Sequence, residues 1–255
     1  MKKKIIVGNL KMNLNSFSER KNYLDKLKKE ATRDEFSNRI EIVLCPPVLH
    51  FEFFKTKIPK NIKLGTQNIF WEERGSYTGE TSPLAIKNFG CEYVICGHSE
   101  RREYLGETEK MIGLKAEAAL RNDLMVIICI GETLEERRAG KTFEVIKKQM
   151  NDAFLHIAED KIKKSIIAYE PVWSVGSNVI PTTDEIMEAR LSIRKVLMQK
   201  YSSNTASEAR IIYGGSVSAQ TVEKVCFESG MDGALIGRES LVPEEFFRIA
   251  KMFDL

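Results

Sequence analysis

The sequence is poor in the residues that announce metal, redox or dinucleotide chemistry. It carries three histidines in 255 residues, and its five cysteines (Cys45, Cys91, Cys96, Cys129, Cys226) form no CxxC pair. No Cys/His/Asp spacing matches a metal site. An odd number of thiols without pairing partners suits a reducing compartment better than a disulfide scaffold. No GxGxxG follows the first apolar run, so the dinucleotide-binding open sheet lacks its main signature. Neither charge dominates: 39 basic residues face 36 acidic ones, interleaved as in residues 141–164. That pattern argues against a nucleic-acid patch or a membrane-binding segment. No Pro/Ser-rich linker or low-complexity tract breaks the chain, so one domain over residues 1–255 is expected. Ile5-Ile6-Val7, just after Lys2-Lys3-Lys4, is far too short for a signal or a membrane span. It reads as a first strand, and a cytoplasmic protein is expected.

What the chain does have is a regular alternation. Short apolar runs at 5–10, 41–45, 63–68, 93–97, 125–130, 165–169, 210–213 and 233–236 read as strands. Between them, 18–30, 108–121, 141–156, 183–201 and 221–228 have helical spacing. Thr108, Thr183-Asp184 and Ser218 stand where caps belong. The strands are apolar almost throughout, as in a parallel sheet covered on its outer face. Eight βα units predict an α/β fold in one domain, either a closed (β/α)8 barrel or an open doubly wound sheet.

Reactive groups of a βα barrel gather where strands end and loops begin. Asn9 and Lys11 follow the first strand, His98 and Glu100 the fourth, Glu170 the sixth, Ser216 the seventh, and Gly237-Arg238 the eighth. Glu170 reads either as a salt-bridged loop residue or as a reactive carboxylate. The Pro171-Val172-Trp173-Ser174-Val175-Gly176 that follows has the make-up of a lid, which favours the second reading, since a lid excludes water and raises basicity. His98 lies beside a helix start, whose positive potential favours a neutral imidazole able to polarise a carbonyl; a purely structural His is the plainer reading. His50 and His156 are expected on helix faces or at the surface. Lys11 alone is a weak signal, although an extended strand end would place it on the same side as Asn9. Gly214-Gly215 and Gly237 put Gly-bearing turns at adjacent strand ends, a place where such barrels bind phosphate.

Taken together, residues 9–13, Gly97-His98-Ser99-Glu100-Arg101-Arg102, Tyr169-Glu170-Pro171-Val172-Trp173 and residues 213–217 resemble the triosephosphate isomerase family over nearly the whole chain. The resemblance implies a TIM barrel that moves a proton between C1 and C2 of a ketose phosphate through an enediolate. Glu170 is then the base, and His98 and Lys11, helped by Asn9, steady the oxyanion. Glu100 holds Lys11, and Gly176, Ser216, Gly237 and Arg238 offer groups to the phosphate. No cofactor and no metal are implied. A homodimer is implied through residues 67–82, with Thr78 reaching the partner and Phe70, Trp71 and Tyr77 forming an apolar patch. The departures are Leu10 for Trp, Phe70 for His, Arg238 for Gly, and Pro181 at a lid position where the family uses a backbone N–H to latch onto the tyrosine at 213. Proline has no such donor. Triose phosphates are the first expectation for substrate. The rivals are a four-carbon ketose phosphate such as an erythrulose phosphate, and a catalytically idle phosphate-binding barrel.

Overall fold

Side chains of a strand point alternately to its two faces, and here both faces are buried. Ile5 and Val7 point into one apolar cluster with Val43, Ile95, Ile127, Ile166 and Ile212. Their neighbour Ile6 joins a second cluster with Ile42, Val94, Val126 and Ile128, backed by helix residues such as Ile112, Ile186 and Phe246. The first cluster fills the inside of a barrel and the second lies between barrel and helices. Each such aliphatic side chain stabilises the fold by about 1.5–3 kcal/mol.

The computed structural model describes residues 2–33, 36, 39–177 and 179–254. Its strands are β1 (Lys4–Asn9), β2 (Ile40–Cys45), β3 (Ile62–Thr66), β4 (Tyr93–Cys96), β5 (Met125–Ile130), β6 (Ser165–Tyr169), β7 (Arg210–Tyr213) and β8 (Gly233–Ile236). All pair in parallel, and β8 pairs back onto β1 to close the ring. The fold is therefore the (β/α)8 barrel, not the open sheet. The larger surrounding helices are α1 (Phe17–Arg33), α2 (Glu109–Arg121), α3 (Thr142–Ala153), α4 (Thr183–Lys200) and α5 (Pro243–Met252). Among the described residues no helix is long and apolar enough to cross a membrane.

The helix starts show which polar residue wins at a cap. Thr108 caps α2 as expected, accepting the Met111 N–H. For α4 the cap is Thr182, one residue before the expected Thr183-Asp184. Its hydroxyl accepts the Glu185 N–H while Glu185 accepts the Thr182 N–H, a reciprocal box. The stretch expected as an α-helix at 221–228 is a π-helix over Glu223–Glu228. A single wide turn buries Val222, Val225 and Cys226 just as an α-turn does, so apolar spacing cannot tell the two apart. His156 is exposed after α3, whereas His50 is buried, with Nε2 2.8 Å from the Leu14 carbonyl oxygen. That corrects a surface placement for His50.

Candidate active site

At the C-terminal end of the barrel a cavity of about 390 Å³ opens between the loops after β1, β4, β6, β7 and β8. Asn9, Lys11, His98, Gly176, Ser216, Gly237 and Arg238 all line it. Six residues that stand just after strands, and Gly176 of the lid, thus meet around one space.

Lys11 arrives there by a different route from the expected extended strand end. β1 stops at Asn9, and Lys11 has φ 50°, in the left-handed region that non-glycine residues avoid. The turn is held by the Asn9 side chain, whose Oδ1 accepts the Lys11 N–H at 3.0 Å, and by Gln67, whose Nε2 donates to the carbonyls of Lys11 and Cys45, both at 2.9 Å. Gln67 turns out of β3 to do this, which ends that strand at Thr66. A strained backbone kept in place by surrounding bonds costs about 1–3 kcal/mol and marks a position where placement matters. The Lys11 ammonium meets Glu100 at 2.5 Å.

His98 sits just past β4. Gly97 makes the turn with φ 74°, and a Cβ there would lie 2.8 Å from Ile112. His98 caps the helix over Ser99–Leu105 by accepting the Glu100 N–H at Nδ1, 3.3 Å away. An acceptor nitrogen holds no proton, so the ring proton is on Nε2. Nε2 is 3.4 Å from Oε1 of Glu170.

Glu170 is almost fully buried and does not line the cavity. One oxygen, Oε2, accepts the Ser99 N–H at 3.0 Å; the other, Oε1, is buried with no hydrogen-bond partner. Burial and the neighbouring Glu170 carboxylate push the Cys129 thiol well above its ordinary range, so Cys129 stays a thiol. Both glycines of the Gly214-Gly215 pair are explained by close approach: a Cβ on Gly214 would be 2.7 Å from Cγ of Glu170, and one on Gly215 would be 2.2 Å from the Tyr213 hydroxyl. Glycine at 214 leaves the only kind of backbone past which this carboxylate can turn toward the cavity.

Strand-end reasoning overlooked Glu132, although it follows β5 by two residues. Glu132 is fully buried and accepts from the Tyr169 hydroxyl (3.0 and 3.1 Å), Trp173 Nε1 (3.3 Å) and Arg137 (3.2 Å). Burial and that carboxylate raise the Tyr169 phenol, which remains a donor. Glu132 therefore anchors the start of the lid, next to Glu170. Ser99 lies within the Gly97–Arg102 motif, yet its role as the resting partner of Glu170 is a backbone role that no residue type signals.

The lid side also differs from expectation. The Ser216 hydroxyl is spent on lid carbonyls, donating toward Ser174 (2.9 Å) and Ser177 (3.1 Å). The Tyr213 hydroxyl lies 3.4 Å from Ser174 Oγ, a partner on the lid's first turn in place of the missing Pro181 donor. Asn178, at the lid tip, lies outside the described residues. Phe70 is not part of an exposed patch: it is buried and stacks on Trp71 with ring centroids 4.0 Å apart. Thr78 and Tyr77 are exposed, as are Met12 and Leu49 in the loops that Gln67 ties to this one. Among the described residues no group of three or more His, Cys, Asp or Glu could hold a metal ion.

This arrangement puts an imidazole N–H, an ammonium and a buried carboxylate at one end of a barrel, beside two Gly-bearing loops. Comparison with known proteins agrees with it. The family model described as triosephosphate isomerase matches residues 4–253. The chain is similar to the triosephosphate isomerases of Alkaliphilus oremlandii (41% identical over 250 residues, 98% of this chain and 99% of that protein), Thermoanaerobacter pseudethanolicus (40% over 250 residues, 98% and 99%) and Dictyoglomus turgidum (39% over 253 residues, 98% and 100%). Site geometry and whole-length similarity lead to one conclusion: the chain belongs to the triosephosphate isomerase family.

Proposed function

We propose that this protein is an aldose–ketose isomerase that interconverts dihydroxyacetone phosphate and glyceraldehyde 3-phosphate. The observation that carries the reading is the placing of His98 and Lys11 on the cavity wall with the buried Glu170 carboxylate behind them, its Oε1 3.4 Å from His98 Nε2. Bound by its phosphate at the loops after β6, β7 and β8, the ketose lies with C1 and C2 toward β1 and β4. Backbone N–H groups of Gly176, Ser216, Gly237 and Arg238 serve the phosphate. Glu170 turns past Gly214, takes a proton from C1, exchanges it with solvent in part of the turnovers, and delivers a proton to C2. The C1–C2 unit passes through an enediolate, and no atoms are gained or lost. The Nε2–H of His98 polarises the carbonyl and moves the hydroxyl proton between the two oxygens. Lys11 supplies a fixed positive charge to the enediolate oxygen, a form of preorganised electrostatic stabilisation, and Glu100 and Asn9 hold Lys11 in place. The lid over 171–181 excludes water while the enediolate exists.

The whole chain is read as one catalytic domain working in the cytoplasm as a homodimer. Exposed Met12, Leu49, Tyr77 and Thr78 supply the contact surface, because a cluster of large apolar side chains in water marks an interaction site. The test of substrate is a comparison of kcat/KM for dihydroxyacetone phosphate and the erythrulose phosphates. The three-carbon substrate should be preferred by at least tenfold, about the discrimination one methylene provides. Preference for a four-carbon ketose would overturn the triose assignment, and no turnover of either would make the barrel an idle phosphate binder.

A further inference from the structure

Three lid carbonyls are gripped from outside the lid. Ser216 holds those of Ser174 and Ser177. Between them, the carbonyl of Gly176 accepts from Arg238 Nη2 at 3.5 Å, a contact between segments 62 residues apart. Gly176 has φ 68°, a left-handed conformation that suits glycine, and it lines the cavity together with Arg238. Arg238 is exposed at the cavity mouth, and among the described residues no carboxylate lies within ion-pair distance of it. The other cation of the cavity, Lys11, is already committed to Glu100. Arg238 is thus a cation beside an anion site with only a weak, neutral partner.

A guanidinium has five N–H donors in a rigid fork. One of them on Gly176 leaves the rest free for oxygens of a phosphoryl group, which guanidinium binds with charge-assisted, often two-point hydrogen bonds. We infer that the Arg238 side chain couples phosphate occupancy to the lid: it bonds the substrate's phosphoryl group and the Gly176 carbonyl together, so that anion binding and lid position stabilise each other. The inference rests on the phosphate end of the site proposed above, and it assigns a function to a side chain rather than to the loop backbone. A tie of this kind suits a lid in which Pro181 offers no N–H of its own. By linkage, whatever the anion gains from the ordered lid, the lid gains from the anion.

The probe is inorganic phosphate, which tests the coupling without turnover. Phosphate affinity is measured by calorimetry, and amide hydrogen exchange of residues 172–180 is followed with and without phosphate, for the wild type, Arg238→Lys and Arg238→Gly. The wild type should bind phosphate and slow exchange in the lid. Arg238→Gly should bind about tenfold more weakly, on the scale of losing a charge-assisted bond, and should show much less slowing than the wild type even when saturated with phosphate. Arg238→Lys, which keeps the charge without the fork, should recover part of the affinity but not the lid response. Unchanged affinity in Arg238→Gly would overturn the inference. So would a weakened affinity with the lid response intact at saturation, which would leave Arg238 an ordinary rim cation. Absence of phosphate binding in the wild type would instead remove the proposed phosphate site itself.

Discussion

The two ends of this barrel are built from the same eight strands and treat charge in opposite ways. At the N-terminal end, Glu41 of β2 bonds Lys63 of β3 at 2.9 Å and Arg210 of β7 at 2.7 Å, and Lys63 also meets Glu92 at 3.1 Å. Burial opposes the charge on Glu41, but hydrogen bonds from Lys63, Tyr93 and Arg210 outweigh it and lower its pKa to about 2. Both Glu41 oxygens are bonded. At the C-terminal end, Glu170 keeps one buried oxygen without a hydrogen-bond partner, Lys11 sits in a strained backbone, and Arg238 has no counter-charge among the described residues. Nearly all buried polar groups of proteins are satisfied, so the unsatisfied ones call for a reason. One end uses its charges to hold strands together, and the other leaves them available to a ligand.

Substitutions at the two ends should therefore separate activity from stability. The largest effect is expected for Lys11→Met, which keeps the aliphatic stem and removes the charge facing the enediolate. kcat/KM should fall by about 10²–10³-fold, the scale of losing one preorganised electrostatic group, while the melting temperature hardly moves. Wild-type kinetics would make Lys11 a plain surface charge. Glu170→Asp withdraws the carboxylate by one methylene, and a misplacement near 1 Å costs about a hundredfold in rate; an unaltered turnover number would move the base elsewhere.

A third substitution sharpens the contrast by asking whether the reactive end also assembles. Leu49→Glu puts a charge on an exposed apolar side chain of the loop after β2. Light scattering at micromolar concentration should show a dimer for the wild type and a smaller mean mass for the variant, with unchanged circular dichroism. A wild-type monomer would count against the proposed interface.

The smallest expected change in activity lies at the opposite end. Glu41→Gln should leave kcat/KM unchanged and cost about 2 kcal/mol of stability, below the value for a fully buried pair because Lys63 is partly solvated. Its pKa is depressed on folding, so its contribution is fully present above the ordinary glutamate value near 4.5 and is lost as pH falls toward about 2. Thermal denaturation between pH 6 and pH 2.5 should show a shallower acid limb for the variant. Parallel curves would mean that Glu41 carries no such linkage.

Much of this architecture is legible in the residues themselves. Four of the eight strands, 125–130, 165–169, 210–213 and 233–236, begin and end where polar or turn-forming residues break the apolar runs, as at Ser165 and Arg210. The misplaced ends have local causes: Gln67 leaves β3 to bond two carbonyls, and Gly97 leaves β4 by a positive φ. Thr182, Thr183 and Asp184 can all cap a helix, and only Glu185 three residues on singles out Thr182. The strand-end rule collected the cavity residues because it follows from how any βα barrel is connected. It did not reveal the left-handed Lys11, since nothing in a lysine signals positive φ, nor the retracted Glu170, whose position depends on a Ser99 N–H from another strand's loop. Glu132 falls under the same rule, two residues past β5, but its role in anchoring Tyr169 and Trp173 depends on burial that its residue type does not signal.

The central claim is that the Glu170 carboxylate moves the proton between C1 and C2. Dihydroxyacetone phosphate turned over in D2O, followed by NMR, tests it directly when the wild type is set beside Glu170→Gln, a variant of matching shape without a basic oxygen. The wild type should deliver glyceraldehyde 3-phosphate with solvent deuterium at C2, and Glu170→Gln, with an unchanged melting temperature and phosphate affinity, should lose at least a hundredfold of that rate, within the usual range for removing a general base. Deuterium incorporation at the wild-type rate in Glu170→Gln would contradict the account.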